Sequence, residues 1–303
     1  MGNSERKTDL NILSFDIEEW YIEKVFKAGD PQKYRAFEDM LHRILDILTY
    51  NEIKATFFCL GGLAIEFPHI VKLISSKGHE IGCHSHSHRW INKMTPDEFL
   101  KDTQQAMAAL EDCIGKKIKS FRAPAFSIGE SNKWALEILA DCGIENDSSI
   151  FPGLRDFGGF PSFQKSNDEP CEIIINQKRI NEFPIGLTKI PVVNKKIAYS
   201  GGGYFRLLPL SFVKETMKKS RYTMCYFHIA DLLDFKSNLL SKEEYERYFK
   251  ERGTLKNRLV RYLKSNLGRK RAFNGLGELI RDFNFISVEE AAREISNLPI
   301  VRL

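Results

Sequence analysis

The sequence predicts an α/β fold assembled from parallel βαβ units, and three observations lead there. Short apolar runs alternate with segments of helical periodicity through the first two thirds of the 303-residue chain, the pattern of strands joined by crossover helices. The apolar runs stop at chemically capable side chains: Asp16 and Glu18, His84 and His88, Arg122, Asp147, and His228. In a parallel barrel such strand ends share one mouth, where active sites assemble. No internal repeat or low-complexity linker interrupts the pattern. One domain over residues 1–303 is therefore expected, with a barrel core of about 10–235 and a basic helical extension of about 240–303 packed on it.

In order along the chain, residues 11–15 form an apolar strand ending at Asp16. Phe37, Leu41, Ile44, Leu45 and Leu48 recur at helical spacing and place a helix over 34–50. The run KATFFCL (54–60) is a strand closed by Gly61-Gly62, followed by a helix over 64–76. Residues 80–83 form a short strand that leads into the histidines. Thr95 reads as an N-cap, with Pro96 at the first helical position and Glu98 completing a capping box, for a helix reaching about Ile114. A strand over 118–121 ends at Arg122. A helix over 132–141 stops at Gly143, and a strand over 144–147 follows.

Residues 151–170, rich in Gly, Pro and Phe, read as a long loop. Residues 172–175 and 179–183, separated by Asn-Gln-Lys, form a hairpin inserted into the α/β layout. Gly201-Gly202-Gly203 precedes a helix over 211–219, and a strand over 223–227 ends at His228. The tail from Ser241 is helical and basic, with a short strand at 285–287 and a helix over 288–296.

Composition narrows the function classes. With 43% apolar and 28% charged residues the chain can bury a sizeable core, and disorder does not dominate. A net charge of +5 is too mild for a dedicated nucleic-acid binder. The six cysteines are scattered with no CxxC pair, and the polar start lacks the apolar region of a secretory signal. Met-Gly-Asn-Ser lacks the hydroxyl residue of a myristoylation motif, because Arg6 stands there. No run of about 18 apolar residues offers a transmembrane helix. Reduced thiols and a cytoplasmic location are the expectation.

The stretch GHEIGCHSHSHR (78–89) sets three histidines at alternate positions. On a helical turn His84 and His88 share one side and reach a common ion at about 2.0–2.1 Å, while His86 points elsewhere. On a strand all three share a face. Two imidazoles leave a catalytic metal short of a third protein ligand. Asp16-Ile17-Glu18 offers acids at alternate positions, so that one can bind an ion while the other stays free as a base.

These segments resemble the NodB-type polysaccharide deacetylases (carbohydrate esterase family 4-like), in order from Leu10 to about Asp234. Ser14-Phe15-Asp16-Ile17-Glu18 stands where that family shows T-F-D-D, and ATFFCLG (55–61) is similar to its second strand. GHEIGCHSHSH resembles its H-[ST]-x-x-H motif, Phe121-Arg122-Ala123-Pro124 its R-x-P motif, and Tyr226-Phe227-His228 its L-x-H motif. DIEEWY (16–21), DSSIFP (147–152) and GGGYFRLLP (201–209) are similar to the subgroup associated with exopolysaccharide and protein-sorting gene clusters. Two departures stand out. Ile17 occupies the place of the usual second Asp, which moves the metal-binding acid to Glu18. Ala125 stands where the aromatic after R-x-P belongs, with Phe126 next.

The resemblance implies a deformed (β/α) barrel with an inserted hairpin and a helical C-terminal tail. It implies a hydrolase removing N-acetyl groups from amino sugars of a polysaccharide, oligosaccharide or lipid-linked glycan. Glu18, His84 and His88 would hold one divalent ion, zinc by expectation, with cobalt, nickel or manganese also suited to such N/O ligands. Asp16 would be the base, His228 the acid, Arg122 the partner of Asp16, and the Ala125 N–H an oxyanion donor. Asp147 and Asp231 would orient His228 or touch substrate, and Tyr204 and Arg206 would line the groove. Two other readings are an amidohydrolase of the same fold acting on a small cyclic amide or imide, and a non-catalytic glycan-binding homologue. Residues 255–272 hold seven basic residues and no acid, with Leu259, Leu263 and Leu267 four apart. Peripheral contact with an anionic inner membrane face, binding of an acidic glycan and simple packing on the barrel all suit that pattern, and packing is the expectation.

Overall fold

A computed structural model describes residues 10–27, 29–153, 158–163, 169–190, 195–234, 238–249 and 251–303. The expected loop at 151–170 lies partly outside these residues, as does the chain before Leu10. Eleven strands are seen: β1 (Leu10–Ile17), β2 (Thr56–Cys59), β3 (Glu80–Cys83), β4 (Ser120–Phe121), β5 (Asn146–Asp147), β6 (Cys171–Ile175), β7 (Lys178–Glu182), β8 (Thr188–Ile190), β9 (Lys195–Ile197), β10 (Tyr222–His228) and β11 (Ile300–Arg302). Nine of them make one sheet in the order β10-β1-β2-β3-β4-β5-β7-β6-β11, with β8 and β9 paired apart. Every neighbouring pair in the large sheet is parallel except the β6–β7 hairpin. Helices cover this sheet, and the result is a deformed (β/α) barrel.

The register brings the strand ends to one rim. Asp16 pairs with His228, Cys59 with Cys83, Cys83 with Phe121, Phe121 with Asp147, and Asp147 with Glu182. The residues that follow β1, β3 and β4 are Glu18, His84 and Arg122. The strands are apolar on both sides because helices and barrel interior bury both faces. Phe15 and Phe57, both fully buried, stack at 4.8 Å in that core.

Helix ends follow local chemistry. Asp30 caps Pro31–Tyr50 by accepting from the Gln32 N–H at 2.9 Å, and the helix buries Phe37, Leu41, Ile44, Leu45 and Leu48. Thr95 and Glu98 form the expected capping box of Pro96–Ile114. The helix expected over 64–76 is two, Gly61–Glu66 and Pro68–Ser76, broken at Phe67 (φ −137°). The residue before a proline is pushed out of the helical region, so Pro68 starts a new helix. A Cβ on Gly61 would stand 2.5 Å from the Ala106 Cα, so glycine is what lets these helices touch.

The hairpin turns at Asn176-Gln177, both with positive φ (45° and 68°), the two-residue geometry whose twist suits antiparallel strands. Further elements depart from expectation, the helix Glu19–Phe26 and the β8–β9 pair among them. Gly202–Leu207 is a helix of its own, ended before Pro209. Residues 285–287 contribute a single parallel bridge, Ile12 to Ile286, in place of a strand. β11 adds to β6 from a polar-flanked segment with no alternation to announce it.

Candidate metal centre and catalytic mouth

Asp16 and Glu18 project from the end of β1 on one side, with Ile17 between them fully buried on the other. His84 extends β3, its N–H bonded to the Cys59 carbonyl at 2.9 Å. The segment 84–88 is neither helix nor strand. Ser85 and His88 both take left-handed backbone (φ 70° and 59°), and the His88 N–H donates to Ser85 Oγ at 3.1 Å. Asp102 ties the bend down by accepting from the His86 N–H at 2.7 Å and from Ser87 Oγ at 3.2 Å. This bend sets the His84 and His88 rings 5.4 Å apart and turns His86 away, its Nδ1 on the Gly61 side. Left-handed non-glycine backbone of this kind concentrates at functional sites.

Glu18 Oε2 lies 2.6 Å from His88 Nε2 and 3.5 Å from His84 Nε2. One ligand atom from each of the three residues falls within 4.8 Å of the others. His84 Nδ1 lies 2.7 Å from the Arg122 carbonyl. A carbonyl only accepts, so Nδ1 carries the hydrogen and Nε2 presents its lone pair to Glu18. Glu18 Oε2 is buried and makes no hydrogen bond despite these neighbours, as expected of atoms aimed at a common point. Burial works to raise the Glu18 carboxyl, but the charges of His88 and His228 outweigh it and hold it well below the usual range. An orphaned carboxylate oxygen and imidazole nitrogen facing one point are a donor set that fits a divalent cation.

Beside this triplet, the fully buried Arg122 donates from Nη1 to Asp16 Oδ1 at 2.8 Å and to Ser14 Oγ at 2.9 Å. Its Nη2 reaches Ser148 Oγ at 2.9 Å, its Nε reaches the Ser148 carbonyl at 3.2 Å, and its guanidinium lies 4.2 Å over the Phe58 ring. Asp16 Oδ2 faces His228 Nε2 at 3.9 Å. His228 is 32% exposed, on the open side of the mouth. Its Nδ1 sits 3.0 Å from Asp231 Oδ2. Burial draws the His228 imidazole down, while Glu18, Asp231 and Asp16 together push it well above its ordinary value.

The structure brings Asp16, Glu18, His84, His88, Arg122, His228 and Asp231 together and gives two expected substrate residues, Arg206 and Asp147, other partners. Arg206 is buried, with Nε 3.3 Å from Asp231 Oδ1 and both Nη atoms donating to the Ser265 and Lys264 carbonyls. It backs Asp231 rather than lining a groove, because its helix places it behind the loop after β10. Tyr204, on the same helix, is 37% exposed. Asp147 is fully buried in the floor, against Ser149 Oγ at 2.5 Å and the Glu182 carboxyl, and does not orient His228. Burial pushes Asp147 up to about 6 and Glu182 well above its usual value, with the neighbouring Asp147 adding to the rise of Glu182. Ala125 holds left-handed backbone (φ 54°, ψ 21°) directly after Pro124. Phe126 is buried edge-on against Tyr226 at 5.1 Å, a core ring rather than a pocket wall.

Sequence reading passed over three residues. Tyr248, on the helix Lys242–Phe249, lies parallel to the His88 ring at 6.5 Å (9°). Glu19 accepts from the Ala230 N–H at 2.7 Å, and burial with Glu18 nearby pushes it to about 7. Glu182 is the third. Only Glu19, inside DIEEWY, stood within a stretch that had drawn notice.

Residues 19–146 match the polysaccharide deacetylase family, and residues 148–293 match a domain of unknown function, DUF3473. His84, His88 and Arg122 fall in the first interval, His228 and Asp231 in the second. A peptidoglycan-N-acetylglucosamine deacetylase of Bacillus cereus is 41% identical over 96 residues, 31% of this chain and 35% of that protein. A second B. cereus protein of that name is 31% identical over 148 residues, 48% of this chain and 52% of its own length. A chitin deacetylase of Pestalotiopsis is 32% identical over 103 residues, 33% of this chain and 34% of that protein. The chain thus spans between a third and about half of the length of these relatives. A crystal structure of a Mycobacterium smegmatis protein provisionally assigned as a polysaccharide deacetylase superposes with a TM-score of 0.63 at 16% identity, covering 100% of this chain and 97% of that one. That likeness shows a shared fold across both intervals, and the family match assigns residues 19–146 to a polysaccharide deacetylase domain of the NodB type.

Proposed function

We propose that the protein is a metal-dependent N-deacetylase acting on N-acetylated amino sugars of a polysaccharide or glycan precursor. The observation that carries this reading is the convergence of Glu18 Oε2, His84 Nε2 and His88 Nε2 beside an Asp16 that ligates nothing and is held by Arg122. The relatives named as peptidoglycan and chitin deacetylases support the substrate class. A divalent ion on these three residues, zinc first among those suited, would supply Lewis acidity toward the acetamide carbonyl and lower the pKa of water.

The chain's own groups then divide the proton traffic. Asp16, with Oδ1 fixed by Arg122, presents Oδ2 to accept the proton of an attacking water. His228, charged and oriented by Asp231, delivers a proton to the departing amine. The left-handed turn at Ala125 is where a backbone N–H would meet the tetrahedral oxyanion. The gene-cluster subgroup named by DSSIFP and GGGYFRLLP favours an exopolysaccharide over small amides.

Metal content and acetate release test this together. Purified protein should carry about one divalent ion and release acetate from N-acetylglucosamine oligomers, and chelation should abolish release until metal is restored. Asp16→Asn should stop release while metal stays bound. Release of product from cyclic imides but not from sugars would replace the proposal with the small-amide reading.

A further inference from the structure

The helix Leu255–Asn266 is built inside out. None of its residues is buried. Leu255, Leu259, Val260, Leu263 and the adjoining Leu267 are between 41% and 57% exposed, whereas a helix on a globular protein turns its apolar stripe to the core. The side facing the protein is polar. Arg258 donates to the Leu240 carbonyl at 3.0 Å, and Arg261 covers the Phe249 ring at 4.2 Å. The helix is attached through its arginines, and the leucines face out.

Charge surrounds that stripe. Lys256 and Lys264 each follow a stripe leucine by one residue, at its edge, and Lys270 lies just beyond Leu267, all three exposed. They form no ion pair among the described residues. Arg269 and Arg271 instead clamp the helix end to the mouth region, donating to the Ala230 carbonyl at 2.7 Å and the Arg206 carbonyl at 2.8 Å.

We infer that the helix Leu255–Asn266 is a docking surface that lies in the plane of a bilayer rich in anionic lipid. Leucines enter the acyl boundary, and lysines at the stripe's edge reach back to the headgroups. A second copy of the chain fits less well, since a two-fold contact through this face would set like-charged lysines against each other. The surface is tied to the catalytic mouth through Arg206, which bonds both the helix end and Asp231. Docking thus keeps the mouth close to the membrane, where a lipid-linked or membrane-proximal glycan lies. The inference is independent of the deacetylase reading, because binding is measured without turnover.

The test is sedimentation of the full chain with vesicles of phosphatidylcholine alone or mixed with phosphatidylglycerol, alongside analytical ultracentrifugation without lipid. The chain should sediment with the anionic vesicles, less so as salt rises, and poorly with the neutral ones. Leu259→Glu/Leu263→Glu should lower affinity about tenfold or more, and Lys256→Glu/Lys264→Glu about tenfold, with unchanged melting since all four positions are exposed. Three results would overturn the inference: no vesicle binding by the wild-type chain, undiminished binding by the leucine variant, or a wild-type dimer that the leucine variant dissolves.

Discussion

His228 Nδ1 lies 3.0 Å from Asp231 Oδ2, and that contact decides which imidazole nitrogen faces Asp16. Asp231 is itself held by Arg206 at 3.3 Å, so the orientation of the acid rests on a chain of two carboxylate contacts. Asp231→Asn should lower kcat about 10–100-fold with a smaller change in KM, read by acetate release. The alkaline limb of the pH profile should shift down as the imidazolium loses its partner. An unchanged pH profile with equal loss of folded protein would reduce Asp231 to a scaffold.

In the proposed metal centre Glu18 is a longer acid, displaced by one residue from the aspartate usual in the resembling family. Glu18→Gln removes the charge that balances a dication and should weaken metal binding about 10–100-fold, measured by equilibrium dialysis. His84→Ala with His88→Ala should leave the protein folded and unable to retain stoichiometric metal.

Arg122 is a buried cation with four hydrogen bonds. Arg122→Met leaves Asp16 buried and unpaired, and should cost about 3–5 kcal/mol in denaturant unfolding. Arg122→Met with Asp16→Asn should be less damaged than the single change, because the orphaned charge is gone.

The Asp147–Glu182 pair makes stability depend on pH. Both carboxyls titrate higher in the folded chain than in the unfolded one, Asp147 at about 6 and Glu182 well above its usual value. Their favourable contribution is complete below about pH 4, where unfolded acids also hold protons, and is lost as pH rises through about 6. Glu182→Gln presents an amide N–H to Asp147 in place of the carboxyl and cannot ionise. It should match wild type near pH 4 and exceed it by about 1–3 kcal/mol at pH 8. Parallel melting curves at both pH values would contradict the raised titration of this pair.

Legibility followed sequence distance. Strands ending in Asp16, His84, Arg122 and His228 are readable because apolar runs stop at polar side chains, and parallel pairing carries those stops to one rim. His84 and His88 are readable as a pair from spacing and Glu18 from the family resemblance, although the bend that joins the histidines is neither of the two geometries that spacing offered. Arg206 and Asp147 read as groove residues because local sequence shows charge near glycines and a strand end. Their actual partners, the Lys264 and Ser265 carbonyls and Glu182, stand 58, 59 and 35 residues away. Tyr248 is farther still from His88 and carries no local mark at all. The inverted helix at Leu255–Asn266 shows the same limit: periodicity reveals a stripe but not which way it faces.

Because β10 pairs beside β1, His228 joins the rim only when this late strand is added next to the first. A growing polypeptide on the ribosome presents Glu18, His84 and His88 well over a hundred residues before His228 emerges. On the proposed mechanism such a nascent chain would own the cation ligands and the base but no proton donor. Hydrolysis would then wait until the stretch of unassigned role had been added, which would make that stretch part of the proposed chemistry and not an appendage to it.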